Sequence, residues 1–436
     1  MKKLKVTIIG GGSGYTPELV KEFIHRHQLM PVDELWLVDV EEGKEKLETI
    51  ANLSKRIIKK ENSSIKLYYT TNRKDALKDS DFVVTQFRAG QMKSRVTDEN
   101  IPLKYNTIGQ ETNGAGEMLY AFRMIPVMLD IVKDMEDLCP NAWLINFANP
   151  AGILVEAVLK YSQWKKIISI CNGPLNITNS IAKALDVSRD RLYVEFVGLN
   201  HLIFAKEVYL DGQDITDKVI ETINLGQHRI DNPGVSNWDP TFLKRLGMIP
   251  MSYLQYYWKT AEVLKEEQHA ATSTGTRAIV AKKQENNLFE IYKDPQLDTV
   301  PDELYQRGGA GYSACACDLI YSIYSDRRDI QTVNTANHGA ISNLDATDVA
   351  EINCVITSKG PIPLVTGQLP VAVNGIIQEM KSFEKLVCEA AVTGSYETAL
   401  LALTINPLVH SDLDAKKMLD EMFLANKEYL PQFHLK

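Results

Sequence analysis

The sequence predicts a doubly wound α/β protein built on a mostly parallel sheet. Three observations carry this prediction: six short apolar segments alternate with helical segments before residue 171, a glycine-rich turn follows the first segment, and a mixed pattern follows residue 171. We therefore expect a dinucleotide-type parallel-sheet domain over 1–170, followed by a mixed α+β domain over 171–436.

The predicted strands of the first half are short apolar runs, as in sheets that are buried on both faces. They cover residues 4–9, 34–39, 65–71, 81–87, 142–147 and 166–171. The expected strand order is 3-2-1-4-5-6. In the second half we expect a strand over 191–201, a hairpin turning at Asp211 and Gly212, and helices within 251–293, 311–326 and 373–395.

Composition is that of an ordinary globular protein, with 436 residues, 44% of them apolar and 24% charged. A formal charge of -8 argues against nonspecific binding to nucleic acid or to anionic membranes. The apolar run after Met1 is too short for a signal peptide, and no stretch is long enough to span a membrane. The six cysteines lack CxxC spacing and are expected to be reduced thiols, which predicts a cytoplasmic protein.

The segment "GGGSGYTP" connects the first strand to a helix, the context that a Rossmann-type dinucleotide site requires. Thr16 is expected to cap that helix, and Pro17 suits its first position. Asp39 follows the second strand, where a carboxylate accepts hydrogen bonds from an adenosine ribose and repels a 2'-phosphate. The turn therefore predicts NAD rather than NADP, although Tyr15 replaces the third glycine of the usual pattern. The predicted cofactor contacts are Gly10, Gly12, Ser13, Gly14, Tyr15, Thr16 and Asp39.

Cys171 and His201 each follow an apolar strand, where ligands gather in open α/β sheets. A thiolate and an imidazole, with oxygens of substrate or water, suit a borderline divalent metal. Taken singly, each residue is more typical of core packing than of a metal site. Arg88 and Arg95 follow the fourth strand, and guanidinium groups there suit a carboxylate or phosphate, although a solvated loop is an equal alternative.

Polar residues at other strand ends add to this pattern. Glu111 lies in "GQETNGAG" and Asn149 in "NFANP". The segment "PMSYLQYYW" contains three tyrosines, which are more often core residues than bases. A tyrosine becomes a base only where a metal or cation lowers its pKa.

Taken together, the motifs resemble those of family 4 glycoside hydrolases, which depend on NAD and a metal instead of two carboxylates. The resemblance extends over nearly the whole chain. It rests on "IIGGGSGYTPELV", "GQETNGAGEMLYAFR", "NFANPAGI", "CNGP", "GLNH", "PMSYLQYY", "TRAIVAKKQENNLFEIYKDP", "RGGAGYSACACDLI" and "NTANHGAISNL". Cys-Asn-x-Pro is similar to the 6-phospho-β-glucosidase group of the family. Gly173 departs from the bulkier residue usual there, and Glu117 departs from a common glycine.

The resemblance implies an architecture like that of lactate and malate dehydrogenases, and it implies roles for individual residues. Cys171 and His201 would bind Mn(II), or Co(II) or Ni(II). Tyr253 would be the base, with Tyr256 and Tyr257 as alternatives, and Glu111 would raise its basicity. The implied substrate contacts are Arg88, Arg95, Asn149, Asn172 and Arg277. Asn172 stands where α-type relatives have an aspartate proton donor; because an amide cannot be a general acid, water or another group must protonate the leaving oxygen.

The implied reaction is hydrolysis of a 6-phospho-β-glucoside, either a phosphorylated disaccharide such as cellobiose 6-phosphate or an aryl glucoside. Its steps are oxidation at C3 by NAD+, deprotonation at C2, elimination, addition of water and re-reduction. The alternatives are a 6-phospho-α-glucosidase or α-galactosidase of the same family, a 2-hydroxy-acid dehydrogenase, or a noncatalytic NAD-binding regulator. The resemblance also implies a homodimer or homotetramer.

Overall fold

A computed structural model describes residues 3–224, 238–306 and 311–435. All six strands predicted in the first half are confirmed. They are β1 (Leu4–Ile9), β2 (Val32–Val38), β3 (Lys66–Thr70), β4 (Phe82–Thr85), β5 (Trp143–Asn146) and β6 (Ile167–Ser169). Between them lie α1 (Thr16–His25), α2 (Lys44–Lys60), α3 (Arg73–Leu77), α4 (Gln91–Leu103), α5 (Gly114–Leu138) and α6 (Ala151–Tyr161).

The second half mixes helices with antiparallel strands, as predicted. Its first elements are α7 (Gly173–Leu185), β7 (Leu192–Leu199), β8 (Leu202–Leu210), β9 (Gln213–Asp214), α8 (Thr216–Asn224), α9 (Pro240–Leu246) and β10 (Ile249–Pro250). They are followed by α10 (Gln255–Trp258), α11 (Thr260–Thr272), α12 (Arg277–Tyr292), α13 (Tyr312–Ser325), β11 (Ile330–Ala336), β12 (Val349–Thr357) and β13 (Gly360–Pro363). The chain closes with α14 (Val371–Thr393), α15 (Tyr396–Ile405) and α16 (Asp412–Asn426).

The main sheet has nine strands in the order β13-β12-β11-β6-β5-β4-β1-β2-β3. The run from β3 to β6 is parallel and has the predicted order 3-2-1-4-5-6. Beyond β6 the last three strands are antiparallel and come from the second half of the chain. The sheet therefore joins the two halves, and its strand order reverses between β1 and β4, the place at whose carboxyl ends ligands bind in open α/β sheets.

A second, antiparallel sheet is formed by β7, β8, β9 and β10. The hairpin predicted at Asp211 and Gly212 joins β8 to β9. The predicted strand over 191–201 is shorter than expected, since β7 ends at Leu199 and Asn200 and His201 form the turn into β8. His201 has a φ of 61°, a backbone conformation that suits a tight turn.

One apolar core extends through both halves, including side chains of β1, β4, β12 and α14 such as Ile8, Val84, Ile352 and Val387. Strands β4 and β5 are buried at every position, which explains their continuous apolar sequences. In the described part of the chain, no helix is both long and apolar enough to cross a membrane.

Candidate active site

The glycine-rich turn passes closely between the ends of β2 and β4. The N–H groups of Gly10 and Gly11 both donate to the carbonyl of Val38, at 2.9 and 2.7 Å. Gly10 has a φ of +85°, and a Cβ there would lie 2.6 Å from the backbone nitrogen of Phe87. The turn thus requires glycine at its first position, as a site for close approach of a pyrophosphate does.

Thr16 does not cap α1, so that expectation is wrong. The helix is preceded by Tyr15, which makes no side-chain cap, and the Thr16 hydroxyl instead accepts a 2.6 Å hydrogen bond from Gln86. Gln86 follows β4 and also donates to the carbonyl of Gly10 at 3.3 Å. A tertiary contact therefore replaces the local cap and ties the turn to the neighbouring strand.

Asp39 lies directly after β2, as predicted, and its carboxylate is held against the turn. Its two oxygens accept hydrogen bonds from the N–H groups of Gly12 and Val40, both at 2.9 Å. Burial raises the pKa of this carboxyl, and the two backbone hydrogen bonds partly oppose that effect. The geometry leaves the carboxylate at the edge of the turn, in the place where a ribose would meet it.

Cys171 and His201 reach the same region from different elements. Strand β6 ends at Ser169, two residues earlier than expected, so Cys171 lies in the short connection to α7, while His201 lies in the β7–β8 turn. Both side chains are buried. The His201 ring stacks on Tyr253, with ring centroids 4.2 Å apart and an interplanar angle of 8°, and the Cys171 thiol is close enough to raise the pKa of Tyr253. The structure thus brings the predicted metal pair and the predicted base together.

The protonation states of the pair suit a metal. Burial lowers the pKa of His201 to about 4, so its imidazole is neutral and has a free lone pair to offer. Burial, followed by the charge of Glu351, raises the pKa of Cys171 to about 12, so the sulfur needs a cation to become a thiolate. In the ranges that the structure describes, no cluster of three His, Cys, Asp or Glu side chains could hold a metal. A metal here would therefore take its remaining ligands from substrate and water oxygens.

Glu111 lies between two of the predicted arginines. Arg88 contacts one carboxylate oxygen, and Arg95 Nη1 lies 2.8 Å from the other. Burial alone would raise the pKa of Glu111, but the charges of Arg88 and Arg95 outweigh it and lower the pKa. The loop after β4 and the loop before α5 are thereby linked by an ion pair whose carboxylate is buried and whose guanidinium group is partly buried.

Arg95 also bonds Glu99 through Nε at 2.8 Å, and Glu99 accepts a 2.6 Å hydrogen bond from the Ala278 N–H. Arg277, the first residue of α12, is exposed and stands next to Ala278. The start of α12, where Arg277 lies, is therefore tied to Arg95 through Glu99 although the two segments are far apart in sequence. Because each guanidinium has five donors, ion pairs to carboxylates leave N–H groups for an anionic ligand.

The three candidate tyrosines have different surroundings. Tyr253 stacks on His201, whereas the Tyr256 hydroxyl accepts a hydrogen bond from Gln110 at 3.3 Å and the Tyr257 hydroxyl accepts one from Asn113 at 3.0 Å. Burial raises the pKa of all three phenols, and for Tyr253 the nearby Cys171 and Glu111 raise it further. Of the three, Tyr253 is the one that stacks on a member of the predicted metal pair, and a cation is needed to ionise it near neutral pH.

Asn149 and Asn172 lie at neighbouring strand ends of the same sheet edge. Asn149 is half-buried after β5 and is joined to Pro150 by a cis peptide bond. Asn172 is buried beside Cys171 at the start of α7. Both residues therefore lie past the carboxyl ends of neighbouring strands, as predicted.

Several residues near Cys171 were missed by sequence reasoning. The Tyr312 hydroxyl lies 3.7 Å from Cys171 Sγ, and a Cβ on Gly173 would lie 3.1 Å from Met251 Sδ. Glu351 on β12 raises the pKa of Cys171. The sequence contained one indication of this polar cluster: Glu351 is a carboxylate inside the apolar run "VAEINCVI". A carboxylate in a buried strand requires hydrogen-bond partners, so its position predicts further polar side chains around it.

Comparison with known proteins identifies the family of the chain. The family described as Family 4 glycosyl hydrolase matches residues 5–187, and its C-terminal domain matches residues 196–409. A probable 6-phospho-beta-glucosidase of Bacillus subtilis (strain 168) is 53% identical over 434 residues, covering 99% of this chain and 98% of its own. The 6-phospho-beta-glucosidase of Escherichia coli (strain K12) is 44% identical over 440 residues, covering 99% of this chain and 97% of its own.

Solved structures extend the comparison. The 6-phospho-beta glucosidase from Thermotoga maritima, in a structure with manganese, NAD+ and glucose-6-phosphate, superimposes with a TM-score of 0.90 and 34% identity, covering 98% of this chain and 99% of its own. Malate dehydrogenase from Plasmodium falciparum has a TM-score of 0.55 at 14% identity, covering 91% and 99%, and confirms the dehydrogenase-like fold alone. The family resemblance predicted from the motifs is confirmed: the chain belongs to glycosyl hydrolase family 4.

Proposed function

We propose that this protein hydrolyses 6-phospho-β-glucosides to glucose 6-phosphate and an aglycone, and that it uses NAD and a divalent metal, Mn(II) first among them. The observation that carries the proposal is the meeting of Cys171, His201 and Tyr253 at the sheet edge that also holds the glycine-rich turn. Full-length similarity to proteins named 6-phospho-beta-glucosidase supports the substrate class. Such a reaction needs no pair of catalytic carboxylates.

The first half of the chain, over 1–170, would hold the dinucleotide, and residues 171–436 would supply the metal pair and the base. The backbone around Gly10, Gly12, Ser13 and Gly14, together with Tyr15 and Thr16, would line the pyrophosphate. Asp39 would accept hydrogen bonds from the ribose. Its existing bonds to two N–H groups hold the carboxylate still, so little ordering is needed when the cofactor binds.

Cys171 and His201 would hold the metal through Sγ and one imidazole nitrogen. When bound, NAD supplies the acceptor for a hydride from C3 of the sugar, and the metal supplies a Lewis acid for the resulting ketone. Burial of the two side chains prepares them as ligands: it keeps the imidazole neutral and leaves the thiol protonated until a cation displaces its proton.

Tyr253 would remove the C2 proton through its phenolate oxygen. The stacking contact with His201 fixes the direction of the ring, so the oxygen approaches the sugar from the side of the metal pair. Glu111 would keep the phenolate strongly basic while its own charge is balanced by two arginines. Because the side chain of Asn172 has no acidic proton, a water molecule would protonate the departing oxygen.

The 6-phosphate would meet Arg95 and Arg277, with Arg88, Asn149 and Asn172 completing the sugar contacts. The argument is electrostatic: a dianion suits guanidinium donors that are only partly used by Glu111 and Glu99. All six cysteines are unpaired thiols in the structure, as in reducing compartments, and we place the enzyme in the cytoplasm. We also propose that it assembles as a homodimer or homotetramer.

The test is a panel of p-nitrophenyl α- and β-glucosides with and without a 6-phosphate, assayed with NAD or Mn(II) omitted in turn. We expect turnover of the phosphorylated β-glucoside alone, and its loss when either cofactor is omitted. In deuterated water the glucose 6-phosphate should carry deuterium at C2. Product without that label would exclude the elimination route, and cleavage of unphosphorylated or α-linked substrates would favour the other activities of the family.

A further inference from the structure

A buried carboxylate lies behind the metal pair. Glu351, on β12, is 0% exposed. Its oxygens accept hydrogen bonds from the side-chain amides of Asn334 at 3.1 Å and Asn200 at 3.3 Å. Burial raises the pKa of Glu351 to about 7 and the two amides partly oppose that effect; within the described part of the chain, no cationic side chain contributes. A carboxylate buried in this way is costly unless a positive charge lies nearby.

The two amides connect Glu351 to both segments that carry the metal pair. Asn200 immediately precedes His201 in the β7–β8 turn, and its side chain lies close enough to Cys171 to lower the pKa of that thiol slightly against the effect of burial. Asn334, on β11, reaches the carbonyl of Ser169 at the end of β6, at 3.5 Å. Glu351 therefore links the chain just before Cys171 to the turn just before His201.

The packing leaves these amides little freedom. The exposed fraction of Asn200 is 8% and that of Asn334 is 0%. A Cβ on Gly152 would lie 3.4 Å from Asn200 Cβ and 3.4 Å from Asn334 Oδ1, so α6 closes the space behind them. The amide orientations are thus set by Glu351 on one side and by α6 on the other.

We propose that Glu351 is a positioning residue for the metal: through Asn200 and Asn334 it sets the separation of Cys171 and His201, and its negative charge strengthens cation binding. This inference rests on the proposed function. Outer-shell carboxylates orient ligands in this way elsewhere, and their loss typically weakens metal binding by about 10- to 100-fold. Glu351 does not contact the reacting atoms in this proposal.

The test compares Glu351→Gln with a matched control on the same strand. Asn353 also joins β12 to β7: its side chain accepts from the Phe196 N–H at 2.7 Å and donates to the Val194 carbonyl at 2.9 Å. Asn353→Asp likewise exchanges an amide and a carboxyl at a buried position. Binding of Mn(II) is measured by electron paramagnetic resonance, and Co(II) is used to record the thiolate charge-transfer absorption.

We expect Glu351→Gln to weaken Mn(II) binding by about 10- to 100-fold and to change the Co(II) spectrum. Asn353→Asp should bind Mn(II) as the unmodified protein does, even where it lowers the melting temperature. Equal Mn(II) affinity in Glu351→Gln and the unmodified protein, or equal losses in both variants, would overturn the proposal.

Should Glu351→Gln fail to fold, Glu351→Asp provides the second measurement, since it keeps the charge and shortens the side chain. Its Mn(II) affinity should fall less than that of Asn200→Ala, which removes the connection between Glu351 and the turn that carries His201; the reverse order would contradict the proposal. Failure of the unmodified protein to bind Mn(II) would refute the proposed function as well, which separates that outcome from a failure of this inference alone.

Discussion

Replacing Gly173 by valine tests how tightly the region beside Cys171 is packed. An added Cβ would overlap Met251 Cε and lie 3.1 Å from its Sδ, whereas ordinary van der Waals contact begins at 3.4 Å. Met251 is 4% exposed, so its side chain has little room and must move by roughly 1 Å. We expect Gly173→Val to lower the free energy of unfolding by about 1–3 kcal/mol.

Met251→Ala removes the same conflict but leaves a cavity, at an expected cost of about 2–5 kcal/mol. In the double variant the valine occupies part of that cavity. The loss of stability should therefore be about 1–2 kcal/mol smaller than the sum of the single losses, a coupling typical of residues in contact.

The assay is urea unfolding followed by circular dichroism and tryptophan fluorescence, where coincident transitions justify a two-state treatment. Gly375 is the matched control, because a Cβ there meets nothing within 4 Å. Gly375→Ala lies in α14 and should stabilise the protein by about 0.5–1 kcal/mol, additively with Met251→Ala. Strict additivity of Gly173→Val with Met251→Ala would refute the packing argument.

Three further predictions concern charged groups. Burial raises the pKa of Glu267 to about 7, so between pH 4.5 and 7 the unfolded chain loses this proton while the folded protein keeps it. The stability of Glu267→Gln relative to the unmodified protein should therefore increase by up to about 2 kcal/mol as pH rises from 5 to 8. A difference in stability that is independent of pH would contradict this. Glu111→Gln should lower the free energy of unfolding by about 3 kcal/mol, because two guanidinium groups lose the carboxylate that they contact. Thermal unfolding measures this, and an unchanged melting temperature would exclude a tight ion pair. Asp39→Ala should weaken NAD binding by about 10- to 100-fold in fluorescence titration, whereas equal affinity would show that the carboxylate does not meet the ribose.

The sequence by itself determined the parallel half of the sheet, the glycine-rich turn and the identity of the family. Each of these depends on residues close together in the chain: short buried runs such as Phe82–Thr85 form strands, Gly10 permits the turn, and Cys171 stands in a recognisable local motif. Such signals are read from neighbouring residues without knowledge of what packs against them.

Only the tertiary structure decided how the site is assembled. The antiparallel strands β11 and β12 join β6 across about 170 residues of chain and bring Glu351 behind Cys171. The stacking of His201 on Tyr253, the bond from Gln86 that replaces the expected Thr16 cap, and the fit of Met251 against Gly173 likewise join distant segments. Their energies depend on distances that arise when the two halves pack together, and no local pattern of residues encodes those distances.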